Sequence, residues 1–192
     1  MTASDLLALP GDAVGVDRWL IAGELIERWN GNGFHTPAHA AVVATVSSLI
    51  SLWYRGAKPP GIRAFGYGCP YRLTREPDTV VSYDVSVWSR TSGHADIVDA
   101  SFIDIVDASF IEGAPLLAVE VMELDEDEDL LSRLVEVSLR GGVKSVWVVN
   151  PFEPLVVQHR SGMKPTYHNG GMEIIEHPNL PGFRCPVADI FE

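Results

Sequence analysis

Cationic side chains are scarce in this 192-residue chain: 14 lysines and arginines stand against 26 aspartates and glutamates, a formal net charge of −12. Dedicated nucleic-acid binders are usually basic, because phosphate contacts supply most of their affinity. The balance therefore argues against stable non-specific DNA binding, and less against an enzyme that meets DNA briefly through a local cationic cleft and a bound metal. Cysteine is nearly absent. Cys69 and Cys185 are isolated, each followed by proline, which excludes a Cys-x-x-Cys ligand pair and a disulfide framework and predicts two reduced thiols in a cytoplasmic protein. No apolar run is read as long enough to span a bilayer, so no membrane partner is expected. The start, Met-Thr-Ala-Ser-Asp-Leu-Leu, lacks the basic region and apolar core of a signal peptide. Gly31-Asn-Gly33 and Gly66-Tyr-Gly68 lack the remaining glycine of a dinucleotide loop, and no Walker lysine follows a glycine-rich turn. Neither a Gly-x-Ser-x-Gly elbow nor a His-Glu-x-x-His helix occurs. His35, His94, His159, His168 and His177 are scattered and read as surface or turn residues rather than ligands.

What the chain does have is an ordinary globular mix, 46% hydrophobic and 21% charged, and enough length for one domain over residues 1–192 with a real core. Two segments carry most of the chemistry. Thr79-Val-Val-Ser-Tyr-Asp-Val-Ser-Val-Trp88 and Pro115-Leu-Leu-Ala-Val-Glu-Val-Met122 each read as a buried strand with one carboxylate, Asp84 and Glu120. A buried unpaired carboxylate is costly and calls for a cation or strong hydrogen bonds. Two such strands side by side aim two carboxylates at one point, which suits a hard divalent metal such as magnesium and points to a metal-dependent hydrolase. In the first strand Val81, Tyr83, Val85 and Val87 are predicted on one face and Ser82, Asp84 and Ser86 on the other, as a cleft floor or a wet edge.

Around these, residues 4–9 predict a short helix started by Ser4, and Arg18–Trp29 a strand pair bent at Ala22-Gly23. Thr36-Pro37 opens the best helix, with Val42, Val43, Val46, Leu49, Ile50 and Trp53 at helical spacing. His39 lies on that stripe, either as a hydrogen-bonded core histidine or as a group reaching a cleft from the helix start. Strands are expected near 62–67, 71–73, 143–149, 155–158 and 172–176, a helix over 127–140 ended by Gly141-Gly142, and a terminal turn at 187–191. Asp96–Ile103 is repeated without change as Asp104–Ile111. One eight-residue duplication is too short for a solenoid and is read as a peripheral loop insertion without chemistry. Glu123–Asp129, six acids in seven residues, reads as an exposed loop entering a helix.

Taken in order, these pieces resemble the bacterial restriction endonuclease family of Uma type within the PD-(D/E)XK nuclease superfamily. The likeness covers nearly the whole chain: residues 20–27 are similar to its early hairpin, Thr36-Pro-Ala-His39 to its helix start, Asp78–Asp84 and Glu112–Val121 to its two metal-binding strands. Gly142–Pro151 and Leu180-Pro-Gly-Phe183 are similar to its later landmarks. Three departures stand out. Tyr83 replaces the usual proline, Met122 and Leu134 occupy the two usual lysine positions, and the acidic run replaces a polar stretch.

The resemblance implies an α/β, restriction-endonuclease-like fold, a mixed twisted sheet flanked by helices. It implies a magnesium- or manganese-dependent endonuclease with DNA as transient substrate, Asp84 and Glu120 as catalytic metal ligands, and His39 and Glu24 behind them. A homodimer is an open arrangement. Arg133, beside Leu134, becomes the candidate cation, although a guanidinium cannot act as a base near neutral pH. The rival readings are a catalytically inactive nuclease-fold binding or regulatory module, and a hydrolase of another phosphoester.

Overall fold

A computed structural model describes residues 1–10, 16–29, 35–66, 68–90 and 110–192. The chain opens with a short helix, α1 (Ala3–Leu7). Thr2 and Asp5 cap it reciprocally, so the start lies two residues before the expected Ser4. Strands β1 (Val16–Ile21) and β2 (Glu24–Trp29) form the expected hairpin, with Leu20 opposite Leu25 and Ile21 opposite Glu24. Its two-residue turn places Ala22 and Gly23 at φ of 51° and 81°, the pair of left-handed residues that matches the twist of a tight hairpin.

The long helix α2 (Pro37–Ala57) begins as its sequence predicts, with Thr36 accepting from the His39 amide and Pro37 in the first turn. Strands β3 (Ile62–Phe65), β4 (Cys69–Thr74), β5 (Thr79–Tyr83), β6 (Val85–Ser89), β7 (Ile111–Glu112) and β8 (Leu117–Val121) follow. After them come α3 (Glu128–Arg140), β9 (Ser145–Asn150), β10 (Leu155–His159), β11 (Thr166–His168), β12 (Ile174–Glu176), β13 (Arg184–Pro186) and α4 (Ala188–Phe191). A five-stranded sheet runs β2-β1-β5-β4-β7 and a six-stranded sheet β11-β10-β9-β8-β6-β3, with β12-β13 a separate pair. Both larger sheets are mixed, since β4–β7 and β8–β9 pair in parallel and the other pairs are antiparallel. The short strands β7, β11 and β13 escape sequence reading because two or three residues carry no period.

One expectation is corrected here. The segment 79–88 is two strands rather than one: β5 belongs to the five-stranded sheet, β6 to the six-stranded sheet, and Asp84 alone separates them. The side-chain alternation breaks with the backbone. Val81 and Tyr83 join one apolar cluster, while Val85 and Val87 join the other. Ser86 is therefore no part of a cleft floor; its hydroxyl meets the Tyr71 hydroxyl at 2.8 Å in the core.

The two clusters lie on opposite faces of the six-stranded sheet. Val42, Val46 and Ile50 of α2 pack with Val85, Val87, Val119 and Val121. Leu131, Leu134 and Val135 of α3 pack with Trp88, Ala118, Val146 and Val148 on the other side. Strands covered on both faces need apolar residues at every position, which is why β8 and β9 read as near-continuous hydrophobic runs. Each such side chain contributes roughly 1.5–3 kcal/mol by leaving water. Tyr83 and Ser138 share a 2.7 Å hydrogen bond inside the second cluster, and Ser138 Oγ also donates to Leu134 O. By length and mean hydropathy of 1.2, α2 does qualify as an apolar run of spanning length, contrary to the reading that none exists, although its buried stripe belongs to the core just described.

The tandem repeat falls mostly outside the described residues, which resume at Phe110. Its last residue is not peripheral: Ile111 is buried, pairs with Tyr71 in β7, and precedes Glu112, which forms ion pairs with Arg72 and Arg75. Because the copies are identical, deleting 104–111 joins Ile103 to Glu112 and regenerates the same strand sequence. The deletion is expected to leave the melting temperature nearly unchanged; a large drop would show that the extra residues themselves belong to the core.

His177, read as a surface or turn residue, is buried at 4% exposure and accepts a hydrogen bond from the Asn179 amide. Burial, with the nearby Arg160 charge adding to it, pushes its imidazole down to about 4. A depressed histidine contributes stability that is fully present above pH 6.5 and is lost as pH falls through 4, because the unfolded chain binds the proton first. The contribution is up to about 3 kcal/mol. Urea denaturation across pH 7 to 4 should show this decline, and His177→Gln should flatten it.

Candidate functional site

The register between β6 and β8 sets the centre. Val85 faces Val119 and Ser86 faces Ala118, so the next step brings Asp84 opposite Glu120. Both carboxylates are buried, Asp84 at 5% and Glu120 at 1% exposure, and both line one cleft of about 470 Å³. Asp84 sits where the chain leaves one sheet for the other, and its Oδ2 accepts the Val121 amide at 2.7 Å. Burial, and then the adjacent Asp84 carboxylate, push Glu120 well above the usual carboxylate range, with Arg28 pulling against both. A buried carboxylate whose charge is opposed by burial and by a neighbouring carboxylate is chemically prepared for a cation.

Part of that charge is met by Arg28, which sequence reading missed. Its guanidinium bridges Glu120 and Glu126, the second contact at 2.5 Å, and lies over the Trp19 ring 5.4 Å from its centroid. Burial works against the Arg28 charge, but Glu120 and Glu126 outweigh it and hold the group above its ordinary value. Trp19 is fixed in turn by a 3.3 Å hydrogen bond to Ser82. The signal was present: β2 alternates, so Arg28 shares the face of Ile26, which packs into the second cluster. An arginine on an inward strand face implies a buried anion.

A histidine pair flanks the carboxylates. His39 Nε2 lies 3.4 Å from Asp84 Oδ2 and its Nδ1 lies 3.8 Å from Glu123 Oε1. His39 is thus both a core histidine on α2 and a neighbour of the site. His35 Nδ1 meets the same Glu123 oxygen at 2.7 Å, and the two rings stack at 4.2 Å and 11°. His35 is therefore no isolated turn residue. The acidic run is likewise not simply a solvated loop. Glu123 and Glu126 fold inward onto the histidines and Arg28, while Asp127 caps α3 by accepting from the Asp129 and Leu130 amides at 3.0 Å. A cap of this kind contributes about 1 kcal/mol. Leu124 and Asp125 remain exposed.

Arg133 and Glu24 are not brought to this centre. They form an ion pair with each other, with 39% and 63% of their side chains exposed, and neither lines the cleft. The reason is geometric. Glu24 and Arg28 share a face of β2, but four residues of strand separate them by about 13 Å, so Glu24 and its partner stay at the hairpin end. Leu134 is fully buried in the second cluster with Tyr83, and a lysine there would bury an ammonium. Met122 is half-buried against the same cluster.

The family model of Uma2, described as "Putative restriction endonuclease", matches residues 4–188. Among solved structures, the chain resembles one from Anabaena variabilis ATCC 29413 described as a putative nuclease belonging to DUF820. That likeness has 18% identity and a TM-score of 0.77, and covers 100% of this chain and 97% of that one. At that identity it establishes the fold alone. No curated protein matches the chain.

Removing one partner of a buried ion pair typically costs about 3–5 kcal/mol, because a charge is left uncompensated. Arg28→Ala should therefore lower the unfolding free energy by roughly that amount, with Arg28→Lys recovering part of it. Urea denaturation of the three proteins is the measurement; a loss below about 1 kcal/mol, the range of a surface pair, would mean that Arg28 does not compensate the carboxylates.

Proposed function

The chain belongs to the Uma2 family of putative restriction endonucleases, and from that premise we propose that it is a slow magnesium-dependent endonuclease acting on DNA. The observation that carries the reading is the β6–β8 register that sets Asp84, the residue just before β6, against Glu120, both open to one cleft. The donor set fits the ion: two buried carboxylates, one of them pushed toward its neutral form by burial and then by the other, offer hard oxygen ligands to a small divalent cation. When bound, magnesium supplies Lewis-acid polarisation of a phosphate and a lowered pKa for its water.

The chain's own residues do the rest. The Val121 amide holds Asp84 in place, and His39 covers the carboxylate from the α2 side. Arg28 takes the cationic role first assigned to Arg133. It reaches Glu120 from across the cleft, and its guanidinium offers several donors to phosphate oxygens on which negative charge develops. It remains charged near neutral pH and so does not take the proton of the attacking water. With Met122 and Leu134 at the two lysine positions, that positioned acid–base group is missing, which lowers the rate by about 10²–10⁴-fold. Glu126 shares the Arg28 guanidinium with Glu120, which leaves less of that positive charge for a phosphate.

A second reading, an inactive nuclease-fold binding module, is favoured by one observation: Arg28 already neutralises Glu120. Calorimetric titration with magnesium beside a DNA cleavage assay separates them, on wild type, Asp84→Asn and Glu120→Gln. The nuclease reading expects magnesium binding and slow cleavage in wild type. Either substitution should abolish the cleavage and weaken the binding. Magnesium binding without cleavage would favour the inactive module, and absence of magnesium binding would sink the metal-dependent reading.

A further inference from the structure

We propose that His35, His39 and Glu123 form a second cation site, a His-His-Glu centre for a borderline divalent transition ion. It stands on its own residues and does not depend on the nuclease reading. Each of the three side chains offers one ligand atom, and these atoms lie within 4.8 Å of one another. The two imidazoles stack nearly parallel and turn toward one carboxylate oxygen, at 2.7 Å and 3.8 Å.

The observation that separates this from an ordinary ion pair is His39. Its side chain is 3% exposed, and its Nδ1 is buried with no hydrogen-bond partner among the described residues. A buried polar atom left unsatisfied is costly and rare, and each instance calls for an explanation. The opposite nitrogen, Nε2, faces Asp84 Oδ2 at 3.4 Å. A carboxylate behind one imidazole nitrogen, with the other nitrogen aimed at a second carboxylate, is the arrangement that orients metal-binding histidines and raises their basicity.

The backbone holds the other partners. Thr36 and Pro37 fix the start of α2, so His35 and His39 stand four residues apart with their rings on one side. The second oxygen of Glu123 accepts the Thr36 amide at 3.3 Å, and the Glu123 amide donates to Glu126 at 3.2 Å. Two imidazoles and one carboxylate suit zinc, cobalt, manganese or ferrous iron rather than magnesium or calcium, which prefer oxygen throughout. Three protein ligands also leave a coordination position open.

Cobalt(II) titration of the full chain, followed by visible absorption and by thermal melting, tests the site. Wild type should develop ligand-field bands of a low-coordinate nitrogen- and oxygen-ligated ion, and its melting temperature should rise with cobalt, as ligand binding to the native state requires. His35→Gln and Glu123→Gln each remove one ligand without opening the core around His39 and should weaken binding by about tenfold or more. Glu120→Gln should leave the bands and the affinity in place. The proposal is overturned if wild type shows no bands, or if the bands survive both His35→Gln and Glu123→Gln. It is overturned equally if Glu120→Gln removes them while His35→Gln does not, because the ion then sits on the Asp84–Glu120 pair.

Discussion

Two carboxylates brought to one point inside a protein repel, and burial removes most of the water that would stabilise their charge. Asp84 and Glu120 are in that position, and most of the polar structure around them answers it. The Val121 amide donates to Asp84. Arg28 brings a full positive charge to Glu120 and lies over the Trp19 ring. Glu126 then balances the surplus on Arg28, and the Glu123 amide donates to Glu126. Each contact is explained by the one before it, and the series begins with the carboxylate pair. Networks of this kind hold together only when every member is satisfied. That is why the acidic run after β8 is folded inward at two of its positions and not only solvated.

The fold serves the same constraint. A strand that continued straight through residue 84 would keep Asp84 inside one sheet, with a neighbouring strand on either side. Passing from the five-stranded to the six-stranded sheet at that residue leaves Asp84 at a corner, where the hairpin β1–β2 can approach from one sheet and β8 from the other. Arg28 arrives on the hairpin and Glu120 on β8. The cleft thus lies against β1 and β5 of one sheet and reaches Glu120 of the other, with Asp84 at the step between them.

The central strands and both long helices were legible because their residues repeat. Val42, Val46 and Ile50 keep a helical period, β8 and β9 are apolar at nearly every position, and Thr36-Pro37 marks a helix start. Asp84 and Glu120 stood out because a charge inside an apolar run contradicts its surroundings. What escaped was whatever depended on pairing between distant segments. The sheet change at Asp84 leaves no mark in local pattern, since both halves read as one β-rich run. Arg133 is a candidate only through its place beside Leu134 in the chain, whereas the cation that reaches Glu120 comes from residue 28, ninety-two positions away. His35 and Glu123 likewise meet only because α2 and the β8–α3 connection converge. Arg28 itself was open to inference from the inward face of β2, but only once the strand direction and its partner were known.

Arg28 also sets the terms on which a metal can enter. A cation already shares Glu120, so a divalent ion must offer more than an unpaired carboxylate would require. An ion there would gain two negative ligands, while Arg28 would keep Glu126 and not be stranded in the interior without a counter-charge. Glu126 therefore lets Arg28 loosen from Glu120 without bearing the full cost of an isolated buried charge, which would be several kcal/mol. On this argument Glu126 acts as a reserve of counter-charge for Arg28. A chain with few cations overall, at net charge −12, concentrates one of them where two sheets meet, and the surrounding acids determine how firmly it is held there.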